Sequence, residues 1–202
     1  MYWPEVTCIM PTLPERRELS RMARECFEKQ DYPRKELLEE DSPESIGAKR
    51  NRLCQRASSE IIIHWDDDDW SDPHRITFQM EKFMASPKKV GGFNAMFYFE
   101  VAAVKAWLYE NPSPYALGTS LCYLHSWWRS HPFSETVKRG EDTIFVREAK
   151  QFGELESDYT LGLIVARSHG INQPRPKFNN QTFSRLPTRN LPREFRKAQG
   201  IR

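Results

Sequence analysis

The chain has 202 residues, a net charge of +2, 39% hydrophobic residues and 12% aromatic residues. That length fits one domain with a single core, and the apolar share excludes a disordered chain. The near-balanced charge points to no particular partner, and no run approaches the ~18 apolar residues needed to cross a bilayer.

The N-terminal residues carry no signal-peptide pattern. Cys8, Cys26, Cys54 and Cys122 form neither a CxxC pair nor a zinc spacing, so they read as reduced, buried thiols. A cytoplasmic protein is the expectation.

In chain order, the elements read as α/β. Residues 6–10 are a short apolar run before Pro11-Thr12, the pattern of a buried strand ending at a turn. Residues 17–29 place Leu19, Met22, Ala23, Cys26 and Phe27 at helical spacing. A second strand starts at 36–38 and runs at once into Glu39-Glu40-Asp41-Ser42-Pro43. Ser45 is placed to cap a helix over 46–57. Residues 61–65 are a strand, with Asp66-Asp67-Asp68-Asp69 at its C-terminal end. Pro73 opens a helix reaching to about residue 84, with Ile76, Met80 and Phe83 inward.

Residues 93–108 read as two strands and 117–123 as another. A short helix follows over 141–150, with Ile144, Phe145 and Ala149 on one face, and a last strand over 161–166 precedes His169. Alternating strands and helices predict a mostly parallel sheet in one α/β domain, residues 1–176. Residues 177–202 are set apart as a basic tail, with seven Lys/Arg against the single acid Glu194. The tail either lies solvated on the domain or meets a polyanion such as nucleic acid.

Ligands of open α/β sheets bind beyond the carboxyl ends of the strands. Four adjacent carboxylates at such a strand end repel one another, and some should hold their protons more tightly unless a cation is present. Mg²⁺ and Mn²⁺ take hard oxygen ligands of this kind together with substrate phosphates. Gly47-Ala48-Lys49-Arg50-Asn51 opens a helix, where free N–H groups and two cationic side chains suit a diphosphate. Gly140-Glu141-Asp142 either caps a helix or supplies a general base.

In this order, and with Cys8-Ile9-Met10-Pro11-Thr12, His64-Trp65, Gly118-Thr119-Ser120-Leu121-Cys122-Tyr123, Pro132-Phe133, His169 and Asn172, these pieces resemble the family-2 glycosyltransferases of the GT-A fold. The resemblance spans about residues 5–175. It implies a single Rossmann-like GT-A domain and a nucleotide-diphosphate sugar, a UDP-sugar foremost, as donor.

It also implies roles residue by residue. Thr12 would touch the nucleoside, while Lys49, Arg50 and Asn51 would line the diphosphate. Asp66 and Asp68 match the ends of the DxD motif: Asp68 on the metal, Asp66 on metal or ribose, with Asp67 beside them at the nucleotide. His169 would complete the Mn²⁺ or Mg²⁺ shell. Asp142 would be the base of an inverting transfer to a hydroxyl on a glycan, lipid or modified nucleic acid, with Glu141 as its neighbour. Asp41 is the candidate for the base contact. Leu13-Pro14 stands where the family usually has Tyr-Asn.

Two other readings share some of these features. A nucleotidyltransferase of the same fold carries a glycine-rich basic loop after its first strand, and residues 11–17 contain no glycine. A non-catalytic carbohydrate- or nucleic-acid-binding module would keep the cation and lose nothing with Asp142.

Overall fold

The computed structural model describes residues 3–111, 113–170, 178 and 183–201. In chain order the elements are β1 (Val6–Pro11), α1 (Arg17–Glu28), β2 (Lys35–Glu40), α2 (Ile46–Arg56), β3 (Ile61–His64), β4 (Trp70–Ser71), α3 (Arg75–Ala85), β5 (Val90–Phe93), β6 (Ala95–Glu100) and β7 (Lys105–Glu110). Then come β8 (Cys122–Leu124), α4 (His125–Ser130), α5 (Glu141–Gln151), β9 (Leu155–Asp158), β10 (Ile164–Ser168), β11 (Phe183–Leu186) and α6 (Arg193–Ala198).

The first sheet has the order β2-β1-β3-β8-β5-β9. β1 runs parallel to β2 and β3, β9 runs parallel to β5, and β8 is antiparallel to both its neighbours. β1 and β3 are buried on both faces, which explains their unbroken apolar runs. Val6, Cys8 and Met10 join Ile61 and Ile63 in the core under α1 and α3. Ile9 and Ile62 point the other way, into a second core with Leu53, Phe145 and Ala149 from α2 and α5.

The second sheet has the order β11-β7-β6-β10-β4. β3 belongs to the first sheet and β4 to the second, so the four aspartates form the bridge between the sheets. β4 pairs antiparallel with β10, Trp70 opposite Val165, which draws the 167–169 segment beside the aspartates.

The structure departs from the sequence reading in several places, each for a local reason. β2 continues through Glu40 because Met10 and Pro11 carry the parallel ladder to Glu39 and Glu40. The acids are tolerated there because Arg24 and Arg52 pair with them. Residues 117–123 are not one strand. Leu117 and Ser120 bind back to Phe93, making the 3-10 turn Gly118–Ser120 before β8.

The last predicted strand starts later, at Ile164, because Gly162 sits at φ +91°, a left-handed turn. Ile144 faces solvent and Val146 takes its place in the core. The sequence reading missed β4, β9 and α4, and it divided 93–108 into two strands where the chain ends β5 and makes the β6–β7 hairpin.

The 176/177 division lies outside the described residues. Beyond it, β11 pairs with β7, and α6 inserts Phe195, fully buried, against Trp70 and Phe99 with ring centroids 5.7 and 5.3 Å apart. Trp107, Trp127 and Trp128 are all buried, so these rings serve as core. The four cysteines are buried and unpaired, and no helix among the described residues is long and apolar enough to cross a membrane.

Candidate active site

A cavity of about 440 Å³ opens where the two sheets meet, beyond the C-terminal end of β3. One wall is the aspartate run. The facing wall is the start of α5 with Glu141 and Asp142, and Arg50 of α2 lies between them.

The four aspartates have four different environments. Asp67 is buried, accepting a hydrogen bond from the Thr12 hydroxyl at 2.6 Å and an ion pair from Arg16 at 3.0 Å. Burial pushes its carboxyl up to about 6, with the Arg16 attraction opposing and the Asp68 charge reinforcing. Asp69 is buried with Asp68 and Asp66 close by, and its carboxyl is held well above the usual range although the Arg167 N–H donates to it at 3.1 Å. Asp66 is also raised: burial leads and outweighs the pull of Arg50, 3.5 Å away, with repulsion from Asp68 and Asp142 adding to it. Asp68 goes the other way. Burial would raise it, but His169 Nε2 at 3.0 Å and the Arg16 guanidinium hold it ionised.

Glu141 and Asp142 are sequence neighbours with opposite surroundings. Gly140, at φ +76°, turns the chain into α5. Glu141 then points inward, 4% exposed, and accepts a short hydrogen bond from Arg50. Asp142 lies along the cavity wall against Gly118. A Cβ on that glycine would sit 2.0 Å from Asp142 Oδ2, so the bare backbone is what lets the carboxylate lie there. Gly118 is fixed from behind, since its carbonyl accepts from His64 Nδ1 at 2.8 Å.

Of the residues expected at the site, Arg50, Asp66, Asp67, Glu141 and Asp142 line one cavity with Asp68, and His169 sits against Asp68. Thr12 and Asp41 line an adjoining cavity of about 470 Å³, together with Arg17, Arg24 and Glu39. Thr12 joins the two cavities through its bond to Asp67. Lys49 turns away from the first cavity. Its buried ammonium donates to the Thr12 carbonyl at 2.5 Å and so braces the turn after β1. Burial lowers its pKa despite the attraction of Asp67 and Glu40.

Asn51 is spent on structure. Its amide donates to the Phe133 carbonyl and to Glu135, and its oxygen accepts from Trp128 Nε1 and the Phe133 N–H, all within 2.9 Å. Asn172 lies outside the described residues. The sequence reading missed Arg16, Arg167 and Gly118. Arg16 carried no signal beyond standing five residues after β1's last proline, whereas Gly118 stood in a recognised segment without an assigned role.

For a divalent cation the donor chemistry fits. Asp66, Asp68 and His169 supply two carboxylates and an imidazole, and burial together with repulsion from neighbouring aspartates raises Asp66 and Asp69. Among the described residues no three His, Cys, Asp or Glu side chains stand as a complete cluster. Arg16 and Arg50 are inserted among the carboxylates instead.

A mostly parallel first sheet joined by an acidic run to a second sheet is the architecture of the GT-A type. The family model for glycosyl transferase family 2 matches residues 15–153, more than half of the chain. The chain belongs to that family.

Among solved structures, it is similar to S. aureus TarS in complex with UDP-GlcNAc, at 13% identity and TM-score 0.66, covering 87% of this chain and 62% of that one. It is also similar to the mannosyltransferase PcManGT from Pyrobaculum calidifontis in complex with GDP-Man and Mn²⁺, at 15% identity and TM-score 0.62, covering 83% of this chain and 57% of that one. The chain thus spans about three-fifths of the length of these relatives in fold. No curated protein matches it by sequence.

Proposed function

We propose that this chain is a metal-dependent, inverting glycosyltransferase that moves a sugar from a nucleotide-diphosphate sugar, a UDP-sugar foremost, to a hydroxyl acceptor on a glycan, lipid or modified nucleic acid. The observation that carries this reading is the opposition of two acidic groups across one cavity: Asp66 and Asp68 on the β3 side, Asp142 on the α5 side.

Asp66, Asp68 and His169 would hold Mn²⁺ or Mg²⁺, which when bound supplies positive charge for the departing diphosphate. Thr12 and Asp41, on the adjoining cavity, are placed for the nucleoside. Arg50, fixed by Glu141, presents a buried guanidinium toward the diphosphate. The Asp142 carboxylate accepts the proton of the attacking hydroxyl. The attacking hydroxyl and the departing diphosphate then lie on opposite faces of the anomeric carbon, and one displacement inverts it without a protein nucleophile.

The fold organisation proposed with this function is a catalytic domain over residues 1–176 and a basic extension over 177–202 that packs onto it through β11 and Phe195. The four unpaired thiols favour a cytoplasmic setting.

The test is a panel of UDP-, GDP- and dTDP-sugars with Mn²⁺ or Mg²⁺, read as released nucleotide and as the anomeric configuration of the product. Release with an inverted product is expected. Release that persists in Asp68→Ala with metal chelated, or a product of retained configuration, would overturn it.

A further inference from the structure

Arg16 follows β1 in the 3-10 turn Pro14–Arg16, and its side chain is driven into the carboxylate run. Its Nη2 lies 3.0 Å from Asp67 Oδ1 and makes a short contact with Asp68 Oδ2, the same oxygen that His169 Nε2 reaches at 3.0 Å. The guanidinium therefore neutralises from inside the oxygen that a divalent cation would need. It is only partly satisfied there: its Nε is buried and has no hydrogen-bond partner among the described residues. The same side chain lines the cavity, on the wall opposite α5.

We infer that Arg16 is the built-in counter-ion of Asp68, which a divalent cation must displace, and that the freed guanidinium then turns to the donor's diphosphate. This rests on the proposed metal dependence. The guanidinium and a divalent cation would both claim one oxygen, Asp68 Oδ2. Arg16 and a metal compete for Asp68 Oδ2 while no diphosphate is present, and Asp67, which Arg16 also touches, keeps the guanidinium close by, so Arg16 weakens metal binding to the cavity without nucleotide. A diphosphate changes the balance because it brings charge enough for both cations and offers the planar guanidinium a bidentate partner that it makes better than a carboxylate already shared with His169. Arg16 thus makes metal and nucleotide diphosphate binding mutually dependent, and by linkage each tightens the other by the same factor. Cation held without donor is disfavoured, and the site is charged only when both arrive.

The experiment is Mn²⁺ binding followed by electron paramagnetic resonance of the free ion, with and without UDP or GDP, in wild type, Arg16→Ala and Arg16→Lys. In Arg16→Ala without nucleotide, Mn²⁺ should bind more tightly, by about five- to tenfold, at the low end of ordinary coupling between sites. The extra tightening that nucleotide gives wild type should shrink by a similar factor. Arg16→Lys keeps the charge without the fork and should stay near wild type in the absence of nucleotide while losing part of the nucleotide effect. Circular dichroism and melting verify that each variant is folded.

Unchanged or weaker Mn²⁺ binding in folded Arg16→Ala without nucleotide would overturn the inference and leave the metal reading standing. If no variant and no wild-type sample binds Mn²⁺, with or without nucleotide, the metal reading falls and this inference with it.

Discussion

The two walls of the cavity are built on different principles. The β3-side wall is built on the parallel strands β1, β2 and β3, of which β1 and β3 are buried on both faces, and its side chains are fixed by neighbours in the same half: Thr12 on Asp67, Lys49 on Thr12, Arg24 on Glu39. The other wall is assembled over long distances in the chain. Gly118 from the turn before β8, Asp142 from the start of α5, and Tyr98 and Phe183 from the second sheet meet there and nowhere in sequence. The β3-side wall sets arginines among its carboxylates, and the far wall presents Asp142, placed by a glycine. That contrast says where binding and where proton transfer should fail independently.

The largest effects should fall on the far wall. Asp142→Asn is expected to lower kcat by about 10²–10⁴-fold, the usual weight of a positioned base, with nucleotide affinity by calorimetry unchanged. Gly118→Ala tests the same carboxylate by displacement. The new methyl requires the Asp142 side chain to move, and a drop in kcat of about 10²-fold, typical of such misplacement, should appear with little change in nucleotide binding. Full activity in Gly118→Ala would show that the position of Asp142 is immaterial.

Glu141→Gln sharpens the comparison, because the neighbour of the base should behave as part of the scaffold. It weakens the partner of a buried arginine, and breaking such a pair costs about 3–5 kcal/mol. Its melting temperature should fall well below that of Asp142→Asn. Equal melting of the two variants would erase the distinction between them. Asn51→Ala should act in the same direction and less strongly, by about 1–3 kcal/mol for the stranded Trp128 and Phe133 groups, with nucleotide affinity preserved in the folded protein.

The smallest expected effect lies far from the cavity, at His74 and Asp31, whose side chains are bonded at 2.7 Å on the surface. The bond to Asp31 raises the His74 pKa. Burial would raise Asp31, but the bonds from His74 and Thr77 outweigh it and lower it. A raised histidine stabilises fully below its unfolded value and loses that contribution as pH rises through its folded value. A lowered aspartate stabilises above its unfolded value and loses it as pH falls. The pair therefore contributes most between roughly pH 4 and 6.5, the ordinary values of the two groups, and at this exposure less than about 1 kcal/mol. The melting difference between wild type and His74→Ala should be larger at pH 6 than at pH 8.5; a difference growing with pH would reverse the assignment.

Much of the β3-side wall was legible in the sequence because its signals are local. An apolar run buried on both faces, a serine that caps α2 by accepting from the Ala48 N–H, and four aspartates at a strand end are each written in a few consecutive residues. Lys49 and Asn51 show where that legibility stops. They stand in the right segment, but the helix turn sends one to the Thr12 carbonyl and the other into the Phe133–Glu135 loop. Residue type at the right position did not decide direction, because helical geometry turns side chains two residues apart by about 200°.

By itself the sequence determined the α/β order, the acidic strand end and the family to which the chain belongs, since these depend on periodicity and on short motifs. Tertiary structure alone decided that the aspartate run bridges two sheets, that Arg16 reaches Asp68, that Glu141 is buried while Asp142 faces the cavity, and that Phe195 closes the core from a segment read as a basic tail. Each of these depends on a partner tens of residues away, and no local pattern specifies which distant surface a side chain will meet.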